Sequence, residues 1–317
     1  MAATAFDKPV MNAANLDENR RRIASDLRAL GLCEGDHVVL RVSLRSLGIP
    51  SPAETLVQAL LDVVGPTGSL YALSFTRAFP LPLRGEGLRY VFDELTPAET
   101  GGLTNYLLRH PAAIRSRHPT NSFVGVGEFA REVLGTHGPA SWSFAPVERL
   151  ARHERGRMLL VGRLMESPGF STVHVAQYLL RFENRTIGRY GVQYRDADGT
   201  VRLFVRNDAA GCSRGFYRFY AAYRAAGAVR EGYVAQAACM LGWLPETLTV
   251  DIETLRRDPT FFFCDDLGCA SCRRNWGFYQ EPAWRYWPAR ALRLLQAARR
   301  RLSRPARPDG TRSGRAA

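Results

Sequence analysis

The stretch V-V-L-R-V-S-L-R-S-L-G-I-P-S-P-A-E-T-L-V-Q-A-L-L-D-V-V-G-P-T-G-S-L-Y-A-L-S-F, residues 38–75, decides the fold. It opens with a β-branched apolar run at 38–44 and closes with a second at 69–75. Between them, residues 53–64 carry apolar side chains at helical spacing. Strand, helix and strand in so short a span predict a parallel pair joined by a crossover helix. The start of that helix is well marked. Ser51 stands where a cap is needed, Pro52 at the first helical position, and Glu54 three residues after the cap, where it closes a capping box.

Outward from this unit, residues 15–32 place Ile23, Leu27 and Leu30 on one face of a helix that ends at Gly31 and Gly35, a face suited to covering a sheet. Downstream come a Pro-, Gly- and Arg-rich loop at 78–89, a helix across 102–109, a long polar loop at 115–123 and a helix near 128–134. Residues 157–162 read as a third buried strand, and 171–183 as a helix with His174, Gln177, Tyr178 and Arg181 on one face. Residues 190–195 and 201–205, joined by Asp196-Ala197-Asp198-Gly199, form a predicted hairpin. The remainder reads as helical, at about 214–226, 231–242, 250–257 and 288–302, with a disordered composition over the last dozen residues.

The chain has 317 residues, 46% hydrophobic and 23% charged, which excludes disorder throughout and suits one large α/β domain or two smaller ones. Its net charge of +13 invites a polyanionic partner, but the charge is unevenly placed. Lys8 is the sole lysine, and +9 of the +13 lies beyond Trp284 in an arginine-rich end. The expected organisation is a single catalytic domain over 1–284, followed by an arginine-rich helix and tail over 285–317. No apolar run reaches the roughly 18 residues that span a bilayer, and no leader pattern opens the chain, so a cytoplasmic protein is expected. Six sparse cysteines are expected to be free thiols.

Four places could carry chemistry. The turn at 44–54 pairs Arg45 and two serines with a helix N-terminus, a combination that suits an anion such as a phosphate. The loop at 115–123 concentrates Arg115, Arg117, His118 and Ser122 as a phosphate or carboxylate clamp. His174 has Gln177 one turn on, so the amide oxygen can accept from one ring nitrogen and leave the other as a base. Cys264, Cys269 and Cys272 form a thiol cluster without an evident fourth ligand; Asp265, Asp266 or the distant Cys239 are the candidates, and no metal is expected. No nucleophile elbow, Walker loop or dinucleotide fingerprint is present.

Five blocks taken in order resemble the aminoglycoside 3-N-acetyltransferase (antibiotic N-acetyltransferase) family: V-V-L-R-V-S-L-R-S-L-G (38–48), A-L-L-D-V-V-G-P-T-G-S-L (59–70), S-R-H-P-T-N-S-F-V-G-V-G (116–127), F-A-P-V-E-R-L (144–150) and S-T-V-H-V-A-Q-Y (171–178). G-A-V-R-E-G-Y-V (227–234) and the Cys269-x-x-Cys272 pair extend the match. The resemblance implies a three-layer α/β/α fold around a central mixed sheet, distinct from the small GNAT acetyltransferase fold. It implies acetyl-coenzyme A as co-substrate and an amine on a sugar or aminocyclitol as acceptor. It also implies that Ser43, Arg45, Ser46, Gly48, Ser74, Thr76, Arg117, His118 and Ser122 hold the coenzyme, and that His174 is the general base for direct transfer.

Departures bear on the acceptor. Gln177 stands where the family has a glutamate beside the histidine, which removes a charge and should leave His174 a weaker base. Asp208 is the expected substitute acid; Glu183 falls on the opposite helix face. Arg41-Val42 replaces a frequent His-Ser, and Pro50-Ser51-Pro52 a glycine pair. A polycationic aminoglycoside calls for converging carboxylates, for which Asp196, Asp198, Asp208, Glu231, Asp251, Glu253, Asp265 and Asp266 are available. The competing acceptor is an amino sugar of polysaccharide or natural-product biosynthesis. A different class is a non-catalytic protein whose basic tail contacts nucleic acid or a membrane; either way a monomer or homodimer is expected.

Overall fold

A computed structural model describes residues 16–166, 169–208 and 211–302. In it α1 (Leu16–Leu30) leads into β1 (His37–Val42), α2 (Pro52–Val64) and β2 (Ser69–Phe75). The two strands are parallel, from His37 opposite Ser69 to Leu40 opposite Ala72, as the 38–75 pattern predicts. The helix boundary also falls where expected, but the capping box does not form. Ser51 adopts a left-handed conformation (φ 42°) and its side chain makes no capping bond. Instead, the Ser51 carbonyl accepts from both the backbone N–H and the hydroxyl of Thr55, each at 3.0 Å.

The chain continues through β3 (Phe79–Pro80), α3 (Glu86–Arg89), β4 (Val91–Phe92), α4 (Gly102–Leu107), β5 (Ile114–Arg115), β6 (Asn121–Gly127), α5 (Ala130–Leu134), α6 (Ala145–Ala151), β7 (Gly156–Val161) and α7 (Thr172–Leu179). Then follow β8 (Tyr190–Arg195), β9 (Val201–Val205), α8 (Tyr220–Ala225), β10 (Val229–Val234), β11 (Ala237–Trp243), α9 (Leu244–Arg257), α10 (Ala270–Arg273) and α11 (Ala283–Leu302). Seven strands make one mixed sheet in the order β10-β11-β7-β1-β2-β6-β5. β1, β2 and β7 are parallel, while β6 and β11 run against them.

Strand alternation sorts the core into two layers. Val38, Leu40, Leu70, Ala72, Val124 and Leu159 pack under α1 and α2. Val39, Tyr71, Leu73, Phe123, Met158 and Leu160 face the other way, toward α5, α6, α7 and α9. This is the α/β/α arrangement expected. All six residues of β7 are buried, because it lies mid-sheet with a neighbour on each side.

Three assignments from sequence are corrected. Residues 231–242 are not helical but belong to the β10–β11 hairpin, turned by Ala235 (φ 51°) and Gln236. The alanines of 235–238 favour a helix locally, yet pairing of β11 with the buried β7 outweighs that propensity. The end of the polar loop and the glycines after it are a full strand, β6, paired with β2 from Asn121 to Gly127. The predicted helix at 171–183 ends at Leu179, and Arg181 turns left-handed (φ 57°). The hairpin at 190–205 forms as predicted and, with β3 and β4, makes a second small sheet around Phe92, Val192, Tyr194 and Phe204.

α11 packs its first half against the preceding segment, with Tyr286 buried and Arg293 paired to Asp266 at 3.1 Å. The tail at 303–317 lies outside the described residues. Among the described residues, no helix is long and apolar enough to cross a membrane.

Candidate active site

Because β1, β2 and β7 are parallel, their C-terminal ends open on one edge of the sheet, and the start of the antiparallel β6 joins them there. Such an edge is where open α/β sheets place their ligands. A cavity of about 380 Å³ lies at this edge. Its sheet-side wall comprises Arg41 from β1, Phe75 and Thr76 at the end of β2, and Thr120 and Asn121 at the start of β6. The other wall, from connecting segments, holds Arg206, Gly211, Ser213 and Ser271, and Phe144 and His174 complete the lining.

His174 occupies the first turn of α7, which packs on the sheet through Val173, Val175 and Ala176. The imidazole stacks on Phe144 at 4.5 Å between ring centroids and meets the edge of Phe216 at 4.8 Å. Its Nδ1 lies 3.0 Å from Gln177 Oε1. An amide oxygen can only accept, so the proton resides on Nδ1 and the Nε2 lone pair remains available, without a hydrogen-bond partner among the described residues. Burial lowers the His174 pKa to about 4; the Gln177 bond opposes this, and the nearby Arg41 and Arg206 add to it. The ring is neutral at pH 7, as a base must be. The Gln177 amide nitrogen is buried without a partner, so the bond to His174 is the one polar contact of that side chain among the described residues.

Asp208 does not reach His174. It is buried, accepts from the Ser143 backbone N–H, and lies 3.9 Å from Arg206 Nε. It therefore places its charge beside Arg206, a cavity-lining residue, rather than beside the imidazole.

A model of the family described as aminoglycoside 3-N-acetyltransferase matches residues 39–256. The chain belongs to the aminoglycoside 3-N-acetyltransferase family. Among curated relatives it is 31% identical to aminoglycoside N(3)-acetyltransferase IX of Micromonospora chalcea, over 72% of this chain and 90% of that one. It is 30% identical to aminoglycoside N(3)-acetyltransferase III of Enterobacter cloacae, over 75% and 91%. Among solved structures, aminoglycoside acetyltransferase AAC(3)-Xa is 27% identical with a TM-score of 0.62, over 77% of this chain and 97% of that one. AAC-VIa bound to sisomicin is 25% identical with a TM-score of 0.64, over 75% and 97%. The fold is also that of AAC-IIIb, solved as a binary complex with CoASH, at 24% identity and a TM-score of 0.66, over 75% and 96%. The protein is thus an acyltransferase of this family with an α/β/α fold.

The residues that the family resemblance assigned to the coenzyme divide into two groups. Ser43 Oγ accepts from Ser46 Oγ at 2.9 Å, and Ser43 lines a second cavity of about 190 Å³ with Gly162, Arg163 and Glu166. Arg41 borders both cavities. Arg45 is exposed on the single turn Leu44–Leu47, and Gly48 closes that turn at φ 64°. A side chain at Gly48 would collide with Gln236 Oε1, so the turn packs tightly on the β10–β11 loop. Thr76 reaches the main cavity, with its hydroxyl donated to the Pro119 carbonyl at 2.5 Å.

The second group, apart from Arg117, is turned inward, contrary to the clamp expected of the 115–123 loop. Ser122 is buried and donates to the Ser74 carbonyl at 2.8 Å; the Ser74 hydroxyl is itself buried. His118 is buried, accepts at Nδ1 from the Asn121 N–H at 3.0 Å and stacks on His137 at 5.0 Å; burial holds its pKa well below 6.5. Arg115 donates to the Glu94 carbonyl at 2.9 Å and to Ser122 Oγ at 3.2 Å. Arg117 points away from the main cavity, toward Glu94 and Asp196. The loop's polar groups are used to build the turn into β6, and the residues it presents to the cavity are Thr120 and Asn121. Sequence reasoning missed these two, and it missed Arg206. The signal for Thr120 and Asn121 is their place at the start of the buried run that forms β6.

Proposed function

We propose that this chain is an acetyl-coenzyme A-dependent N-acetyltransferase in which His174 is the general base on the acceptor amine. The observation that carries this reading is the His174–Gln177 bond, which leaves a neutral imidazole with an available Nε2 in the lining of the cleft at the strand ends. An ammonium has no lone pair, so the base removes a proton as the amine attacks the thioester carbonyl; the proton goes to Nε2, and the coenzyme leaves as thiolate. The oxyanion that forms on the carbonyl has donors nearby in Arg41, Arg206 and the Asn121 amide. Ser43, Arg45 and Ser46, together with Arg163, lie on the side suited to the anionic coenzyme. The CoASH complex of AAC-IIIb supports this choice of donor.

The names of the relatives support an aminoglycoside acceptor. One observation favours the second reading, an amino sugar outside that class. Among the described residues, the cavity lining contains two guanidiniums, Arg41 and Arg206, and no carboxylate. Burial lowers the Arg41 pKa only to about 10, so it stays charged. Two half-buried cations, of which Arg206 alone has a carboxylate nearby, disfavour a polyamine and favour an acceptor whose other substituents are neutral or anionic. The test is thiol release from acetyl-coenzyme A by the purified protein with aminoglycosides, neutral amino sugars and carboxylate- or phosphate-bearing amino sugars as acceptors. Release with any of them upholds the enzyme reading, and the ranking decides the acceptor. No release with any acceptor, together with no coenzyme binding by calorimetry, would overturn it.

A further inference from the structure

Four cysteines that acetyl transfer does not use come together beside the cavity. Cys264, Cys269 and Cys272 lie on the turn leading into and along α10, and Cys212 reaches them from the segment after β9. The four Sγ atoms all lie within 4.8 Å of one another. Three of these side chains are buried and Cys212 is half-buried, and all four are free thiols. Cys239, the fourth partner considered from sequence, is instead buried in β11 with its thiol toward the Ala237 carbonyl at 3.3 Å. Asp266, another candidate, pairs with Arg214 and Arg293.

We propose that Cys212, Cys264, Cys269 and Cys272 form a structural tetrathiolate zinc site that fastens the non-sheet wall of the cavity to the C-terminal segment. Zinc–sulfur bonds of about 2.3 Å in a tetrahedron set sulfur–sulfur edges of about 3.8 Å. Cys264 Sγ and Cys272 Sγ are 3.7 Å apart, and the whole set fits around one ion. Four soft sulfur ligands select zinc over magnesium or calcium, and with no open position the ion takes no part in catalysis. The surrounding donors suit thiolates. Arg214 directs Nε to Cys212 Sγ at 3.4 Å and Nη2 to Cys264 Sγ at 3.6 Å, and the Cys264 backbone N–H points to Cys272 Sγ at 3.5 Å. Such contacts offset the negative charge of a zinc tetrathiolate and hold its ligands in place.

The location supplies the purpose. Gly211 and Ser213, on either side of Cys212, line the cavity, as does Ser271 next to Cys272. Among the described residues, this wall has no ladder of backbone hydrogen bonds across it. One ion joins two segments that are far apart in sequence and fixes three lining residues at once.

The experiment is metal analysis of the full-length protein, purified after growth with zinc and desalted. About one zinc per chain is expected, with loss of four titratable thiols until a mercurial releases the metal into an indicator dye. Cys212→Ser should lower the zinc content to below about one-tenth, whereas Cys33→Ser and Cys239→Ser should leave it unchanged. If Cys212→Ser does not fold, the wild-type measurement decides alone. Zinc-free protein after exposure to zinc, with all six thiols freely titratable, would overturn the proposal, as would iron in place of zinc. None of these readouts depends on acyl transfer, so they stand whether or not the acceptor is identified.

Discussion

The two walls of the cavity are held by different forces. Arg41, Phe75, Thr76, Thr120 and Asn121 stand at strand ends, where the β1–β2–β6 ladder sets the position of each residue. Arg206, Gly211, Ser213 and Ser271 stand on connecting segments positioned by side chains: Asp208 against Ser143 and Arg206, Trp276 beneath Gly211, and the four cysteines. The sheet wall is therefore fixed by backbone pairing as well as by the core, whereas the other wall depends on its side-chain contacts. That division suits an enzyme family that keeps one reaction while acceptors vary.

The largest effect should come from damage to the sheet wall. Phe123 is buried in β6 against Phe144 and His137, and Phe123→Ala should cost about 3–5 kcal/mol of global stability, read as a lower denaturant midpoint. A loss below about 1 kcal/mol would mean that this wall is not part of the cooperative core. A smaller, local effect is expected across the cavity. Asp208→Ala leaves the Ser143 N–H without its acceptor and Arg206 without its nearby carboxylate; it should cost about 1–3 kcal/mol and raise the acceptor KM roughly tenfold, with coenzyme affinity unchanged. An equal change in coenzyme affinity would erase the distinction between the walls.

The mildest test concerns His174. In the wild type, His174 is neutral above about pH 4, so the acid limb of kcat/KM lies near that pH. Gln177→Glu introduces a carboxylate at the imidazole, which favours the protonated ring and moves the limb to higher pH. An unchanged limb would show that position 177 does not set the basicity of His174.

Legibility from sequence follows the same division. The β1–α2–β2 unit, the buried β7 and the β8–β9 hairpin were readable because each carries its own periodicity and turn residues. His174 and Gln177 were readable as a pair because helical spacing puts them within reach of each other. Asp208 was misjudged because its partners, Ser143 and Arg206, lie on segments with no periodicity to place them. The 115–122 polar cluster suggested a ligand clamp, yet arginine, histidine and serine serve equally well to satisfy a buried turn, and here they do. Cys212 was invisible for a related reason: its three partners follow more than fifty residues later, and only the tertiary fold brings them together.

The central claim is that His174 takes the acceptor's proton. His174→Ala, assayed for acetyl-coenzyme A thiol release with the best acceptor, tests it most directly. The account predicts a loss of roughly 10²- to 10⁴-fold in kcat, with coenzyme affinity and melting temperature close to wild type. Wild-type turnover in that variant would contradict it.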